Sequence, residues 1–532
     1  MKRSNSNVIF LLLLISILFV GLLIAYFINL KSSFLLPDPY WRYQAKLWGD
    51  VILQSGHIVT EPFQESTLPA FTNYSYHNST CIILSVIISM IAGIDYSLVM
   101  SFPTYLPGII LFLGLLAYIV TKNKHCFLLG LCLAVLIPLS HLSTTAGMHR
   151  IALSFLLILG FLYCNMRKQY EYNWGFLFCE IMFMSAFVLA YSTLAVSMGT
   201  FFLCLFIIQA IKYRKFSMSI LLYFIFVVYY YLFVNNFLSK PIEIVFETIH
   251  YAKYLNPLKL YDIPKTIDLI PSVDSHLVLL NYLVIGAIIS LFIFYYLDRF
   301  KHYLSCHKFE VEDEIFVPFL LLILGSLFFR MSIGIISGGI NPVFLLYLLA
   351  SPICVLAILR IKTKYLHKRK SSARLSYGVL VLAFLILISV NTFSHLDVYP
   401  TSATYVTNED VKVSQWLGHT REDDTIVISD FNYLSTYQAI TGPISDYTPL
   451  SSVVAVDVGE KKYQPIIDTY YTLDKENLNG KGDLYVVNQK MADTQIFTIG
   501  GFPIRANPYI SNSLSNSNSL IYNNNNNVFY LE

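Results

Sequence analysis

Apolar residues along this chain gather in long blocks separated by short polar, mostly basic, interruptions. The first block, Val8 to Leu30, covers about 23 residues. An α-helix needs about 20 to cross a bilayer. No small-residue cleavage site follows, so the block reads as an uncleaved signal-anchor. Ten further blocks have spanning character, at roughly 97–120, 125–139, 150–166, 175–191, 194–211, 218–238, 276–297, 314–330, 339–359 and 377–395. The block at 79–94 has only about 16 residues and runs out into Ala92-Gly93-Ile94-Asp95. It reads as a surface-lying or re-entrant helix.

Beyond 396 the period changes. "EDVKVSQWLGHT" (409–420) predicts an amphipathic helix with acids in its first turn. "DDTIVISDF" (423–431) and "GDLYVVNQK" (482–490) predict strands after turn residues. "SLIYNNNNNVFYLE" (519–532) predicts a terminal hairpin joined by an asparagine tract, since asparagine tolerates positive φ; low-complexity drift in a loop is the competing reading. The expected organisation is a transmembrane part, 1–395, with a first external loop at 31–96, then an external soluble α/β domain, 396–532.

Composition agrees with a polytopic α-helical membrane protein. Of 532 residues, 56% are hydrophobic and 13% charged, against about 25% charged in soluble domains. Charge is divided unevenly. From Leu396 onward there are 16 acids and 8 bases, which leaves 17 acids and 28 bases in the rest. A basic membrane part and an acidic tail predict opposite sides of a membrane. The basic connections are Lys2-Arg3, 122–124, 167–168, 212–215, 298–308 and 360–374. They fall on one side if there are eleven spans, with the N-terminus cytoplasmic and the C-terminus external. Asn73 and Asn78 open glycosylation sequons in the first loop, in agreement with an external position. The eight cysteines show no metal or disulfide spacing. No basic footprint for nucleic acid stands out.

The chemistry-bearing residues lie in the external connections. "LLPDPYWRYQAKLWGDVILQSGHI" (35–58) puts Asp38, Arg42 and His57 directly after the first span. Each has a plain alternative: Asp38 as a turn or cap residue, Arg42 as an interfacial arginine, Trp41 and Trp48 as belt aromatics, His57 as a structural histidine. "LSHLSTTAGMHR" places His141, His149 and Arg150 in the next external connection, and "LFFRMSIGI" places Arg330 at the outer end of a span. Charged groups at membrane depth are paired or functional, although both arginines have length to snorkel. "AYSTLA" (190–195) falls at the same face, and the loop 239–275, with Lys253, Lys259 and Lys265, reads either as an amphipathic cover or as a solvated connector.

The pattern Asp38-Pro39-Tyr40-Trp41-Arg42, then Ala45, then Gly56-His57-Ile58 resembles the first external loop of the GT-C superfamily of membrane glycosyltransferases, above all of oligosaccharyltransferases. The resemblance covers about twenty residues of motif, together with the plan of about eleven spans and an external C-terminal domain. It implies a polyprenyl- or dolichyl-phosphate sugar donor in the cell envelope and an acceptor that is a glycan, lipid or protein. In the family the first-loop acid is a general base or, in oligosaccharyltransferases, a metal ligand; the resemblance implies for Asp38 the role of general base in an inverting transfer. A hydroxyl is a poor nucleophile until a carboxylate takes its proton, and the leaving phosphate needs cations such as Arg42, His57, His141, His149, Arg150 and Arg330. The chain departs from the family in two places. Where oligosaccharyltransferases carry "WWDYG", "SDFNY" (429–433) stands, which weakens sequon binding. The connection 140–149 has no acid, so no metal is required; Asp50, Glu61 and Glu65 are the remaining second ligands for Mg²⁺ or Mn²⁺. Two other readings stay open: a non-catalytic GT-C-like surface protein, and a lipid-linked glycan polymerase or ligase.

Overall fold

The computed structural model describes residues 10–23, 48–50, 52–54, 56, 74–102, 104–137, 150–171, 173–214, 216–230, 275–306, 312–333, 342–366, 371–398 and 408–420, and seven strand segments between 427 and 531. Three helices are long and apolar enough to cross a membrane, Arg150–Tyr170, Leu194–Tyr213 and Tyr282–Ser305, and shorter apolar helices surround them. The chain is a membrane protein.

In chain order the helices are α1 (Phe10–Leu23), α2 (Tyr74–Ala92), α3 (Tyr96–Ser101), α4 (Leu106–Thr121), α5 (Lys124–Leu136), α6 (Arg150–Tyr170), α7 (Trp174–Ala190), α8 (Ser192–Ser197), α9 (Gly199–Tyr213), α10 (Met218–Tyr229), α11 (Ser275–Cys306), α12 (Asp313–Ile333), α13 (Pro342–Arg360), α14 (Ser371–Val398) and α15 (Asn408–Thr420). Their turns are written locally. Lys122 takes a left-handed conformation (φ 52°) and its N–H reaches the Tyr118 carbonyl, closing α4. Asn123 then caps α5 by accepting from the His125 N–H at 2.9 Å. Asn173 does the same for α7, accepting from Gly175 at 2.8 Å.

Side-chain contacts fix the helix directions. Phe10 packs on Phe127 with ring centroids 5.7 Å apart and under the Lys124 ammonium. Eleven residues on, Gly21 lies against Ile110 and Val135. So α1 rises beside α5 and against the direction of α4. Lys122 sits 4.0 Å from the Tyr170 ring centroid, joining the end of α4 to the end of α6. Lys168 reaches Glu180 at 2.5 Å, joining α6 to the start of α7, and Ser219 donates to the same carboxylate from the start of α10. Lys212 pairs with Glu314, Arg360 with Asp298, and Tyr377 donates to the Ile358 carbonyl. Among the described residues, eleven helices therefore alternate in direction: α1, α4 to α7, and α9 to α14. Five basic connections, at 122–124, 167–168, 212–215, 298–308 and 360–374, meet at one end. α1 finishes and α4 starts at the opposite end.

The interior is packed through small residues and aromatics. In α5, a Cβ at Gly130 would stand 3.3 Å from the Gly114 Cα of α4, so the two backbones nearly touch. Ser351 of α13 donates to the Gly130 carbonyl at 2.6 Å, which brings a third helix to this point. Phe202, Phe161 and Tyr223 form a second knot, with ring centroids 5.4 and 4.5 Å from Phe202.

The structure corrects several expectations. The span expected at 97–120 is two helices, α3 and α4, separated around Pro103 and Pro107, because proline lacks the donor a continuous helix needs. The span expected at 194–211 is present as Leu194–Tyr213, with only a turn at Met198 between α8 and α9. Trp48 is no belt aromatic: it is 1% exposed and belongs to the core. Asn78 lies within α2 rather than in a loop, and Asn73 lies outside the described residues.

At the C-terminal end, α15 buries Val413 and Leu417, one turn apart. The strands are β1 (Val427–Ser429), β2 (Tyr447–Pro449), β3 (Leu484–Asn488), β4 (Ile496–Ile499), β5 (Phe502–Arg505), β6 (Ser519–Asn523) and β7 (Asn527–Leu531). Five form one mixed sheet in the order β2-β1-β3-β7-β6, and β4 pairs with β5 apart from it. β1 runs parallel to β2 and β3, and the closing hairpin β6–β7 is antiparallel.

Candidate functional site

The bundle has two chemically different ends, and α6 joins them. At 21 residues α6 is about 30 Å long. Lys168 and Gln169 stand near one terminus, and Arg150 is the first residue of the other.

Of the residues that the sequence marks for chemistry, Asp38, Arg42, His57, His141 and His149 lie outside the described residues. So do residues 239–274 and Asp430. Position 330 lies near the end of α12. That helix starts among the basic connections and rises about 1.5 Å per residue, so position 330 reaches the Arg150 end.

Arg150 is described in full. Its guanidinium carbon lies 4.6 Å from the centroid of the Tyr191 ring, a cation–π arrangement worth about 0.5–2 kcal/mol. Arg150 and Tyr191, from two expected pieces of the outer face, are thus brought into contact. Ser154 donates to the Arg150 carbonyl at 2.8 Å. The first turn of α6 contains no acid. A cation at a helix N-terminus opposes the helix dipole, so local propensity does not explain an arginine there.

The first loop docks at the same end. Trp48 enters the core, and the Tyr96 ring fills the space a Cβ at Gly49 would need. Tyr105, one residue before α4, places its hydroxyl 3.9 Å from the Cys81 sulfur of α2. Asp50 follows Gly49 and is half-buried; Glu61 and Glu65 lie outside the described residues. Among the described residues no three His, Cys, Asp or Glu gather as a metal site.

The other end carries a group of side chains that sequence reasoning missed. The three acids at the start of α12 tie it to several neighbouring helices. Glu312 meets Arg299 at 3.1 Å and Arg360 at 2.5 Å. Asp313 takes a two-pronged contact from Arg299, with the Nε–Oδ1 bond at 2.7 Å. Glu314 accepts from Lys212, Tyr213 and Gln169, each at 2.6 Å. Deeper in, Glu180 holds Lys168 and Ser219, and Gln209 donates to Asn165 at 2.8 Å. The available hint was "EVEDE" (310–314), an acidic stretch on the side of the basic connections.

No protein-family model matches the sequence, and no curated protein matches it. Solved structures are similar in fold. The oligosaccharyltransferase AglB of Archaeoglobus fulgidus, in complex with an inhibitory peptide and a dolichol-phosphate, aligns with a TM-score of 0.53 at 12% identity, over 92% of this chain and 71% of that chain. The Archaeoglobus fulgidus oligosaccharyltransferase tethered to an acceptor peptide aligns with a TM-score of 0.52 at 12% identity, over 90% and 69%. ArnT of Cupriavidus metallidurans in the apo state aligns with a TM-score of 0.50 at 10% identity, over 100% of this chain and 98% of that chain. At these identities the likeness is one of fold.

Proposed function

We propose that this membrane protein is a GT-C-type glycosyltransferase that moves a sugar from a polyprenyl-phosphate-linked donor to an acceptor on the outer face. The observation that carries this reading is the alignment of 92% of the chain on an oligosaccharyltransferase solved with dolichol-phosphate. The first-loop motif at Asp38 and the arginine mounted on Tyr191 support it. Eleven alternating helices become eleven spans. The basic connections then face the cytoplasm, and an odd number of crossings puts the acidic C-terminal domain outside.

In the proposed reaction Asp38 takes the proton of the acceptor hydroxyl. The freed oxygen bonds to the anomeric carbon from the side opposite the phosphate, and the bond from that carbon to the phosphate oxygen breaks. Configuration inverts. The leaving phosphate carries the new negative charge, which Arg150, with Arg42, His57, His141, His149 and Arg330, offsets. A carboxylate serving as base makes no demand for a metal, in keeping with the acid-free connection 140–149.

Purified protein in proteoliposomes, supplied with a polyprenyl-phosphate sugar and candidate acceptors, tests the reading. Asp38→Ala should lower transfer by about 10²–10⁴-fold, the usual worth of a general base, with insertion unchanged. Retained transfer would remove Asp38 from the mechanism. The same assay in a chelator tests the metal-free step.

A further inference from the structure

We infer that the basic end of the bundle is a docking surface for anionic phospholipids, with Lys301, Lys362 and Arg214 meeting the headgroups and the apolar face of α11 meeting the acyl chains. The inference does not depend on sugar transfer. It rests on the helices crossing a bilayer.

The cations at this end fall into two groups. Lys168, Lys212, Arg299 and Arg360 lie between helices, and each is tied to a carboxylate. Lys301, Lys362 and Arg214 are exposed and have no ion-pair partner among the described residues. Each stands just beyond a residue of the tied layer. Lys301 is three residues past Asp298, Lys362 two past Arg360, and Arg214 two past Lys212. Together they form a rim outside that layer. A cation with no acid beside it keeps its charge for a partner that is not part of this chain. The connection 361–374 adds to the same field, with six bases and no acid, the composition of a juxtamembrane segment drawn to anionic lipid.

The geometry of α11 shows why that partner is a phospholipid. Its 32 residues make a helix about 48 Å long, against about 30 Å of hydrocarbon in a bilayer. Ile289, Ile293, Leu297, Phe300 and Leu304 are 40–62% exposed, and their spacing of three and four residues keeps them on one face. That apolar stripe runs past the level of the tied Asp298 and Arg299. Lys301 stands on it, four residues after Leu297 and three before Leu304. A surface for acyl chains that ends at an ammonium group is the complement of a lipid with a negative headgroup: chains along the stripe, phosphate at the lysine. Phe216, 77% exposed, stands two residues after Arg214 and repeats the pairing of an apolar group with an untied cation. A zwitterionic headgroup brings its own cation and leaves the charge of the rim unbalanced.

The experiment uses full-length protein in nanodiscs of phosphatidylcholine, alone or mixed with phosphatidylglycerol. It reads melting temperature, and the lipids retained on the protein after extraction into mild detergent. The wild type should retain phosphatidylglycerol in preference to phosphatidylcholine and melt higher in the mixed discs. Lys301→Gln should reduce that preference about fivefold, the equivalent of roughly 1 kcal/mol for one cation at the membrane surface, and Lys301→Arg should keep it. The triple variant Lys301→Gln, Lys362→Gln, Arg214→Gln should lose both the preference and the rise in melting temperature, while melting like the wild type in phosphatidylcholine alone. Lys412→Gln, which removes the same charge from α15, should change neither. A wild type that retains both lipids equally, a triple variant with its preference intact, or an equal loss from Lys412→Gln would overturn the inference. So would a fall in melting temperature of the same size in both kinds of disc, which marks a structural role. If the triple variant fails to fold, retention by Lys301→Gln decides. Sugar transfer is not read, so this inference and the glycosyltransferase reading fail separately.

Discussion

The two ends of the bundle treat positive charge in opposite ways. At the end where the basic connections meet, the cations that lie between helices are matched by acids: Lys168 by Glu180, Lys212 by Glu314, Arg299 by Asp313 and Glu312, and Arg360 by Asp298 and Glu312. At the other end Arg150 lies on an aromatic ring, in a helix turn without acids. A carboxylate partner neutralises a cation. A ring meets it through its π face and adds no charge of its own. The first arrangement suits an element that ties helices together, and the second suits one that meets an anion.

That contrast can be broken from either side. Of the two ends, Arg150→Ala should give the larger effect on turnover, a loss of about 10²–10³-fold in transfer, as for removal of one donor to a developing oxyanion, with little change in melting temperature. Arg299→Ala should show the reverse. It takes the two-pronged partner from buried Asp313 and leaves Glu312 with Arg360, at a cost of about 3–5 kcal/mol, while the folded fraction keeps its specific activity. Thermal unfolding in detergent set beside transfer kinetics checks both, and if both variants showed the same signature the two ends would not differ in role. Ser351→Ala sharpens the picture at the smallest scale. Losing its bond to the Gly130 carbonyl should cost about 0.5–1.5 kcal/mol, read as a small drop in melting temperature with kinetics unchanged.

Much of the helical plan was legible because its signals are local. Apolar blocks of spanning length, the asparagines that cap α5 and α7, and the basic turns at 122–124 and 212–215 are each written within a few residues. The division of 97–120 was legible too, in Pro103 and Pro107, but the block's hydrophobicity hid it. The acids of α12 were not legible as a tie. Gln169 and Glu314 are 145 positions apart, and no local pattern announces such a pairing. The chemistry expected of Asp38 came from a motif, and its test lies in activity.

The acidic start of α12 also sets a timetable. Lys168 and Glu180 are 12 positions apart, so the ribosome delivers both almost together. Gln169, Lys212 and Arg299 must wait until residues 312–314 emerge. For Gln169 the delay spans 145 residues, about 7–30 s at ordinary elongation rates. During that interval the early helices hold polar ends whose partners do not yet exist. Arrival of three consecutive acids then closes contacts to α6, α9, α11 and, once it is made, α13. Assembly of this bundle is thereby punctuated, with a late step at which four separately inserted helices become one body.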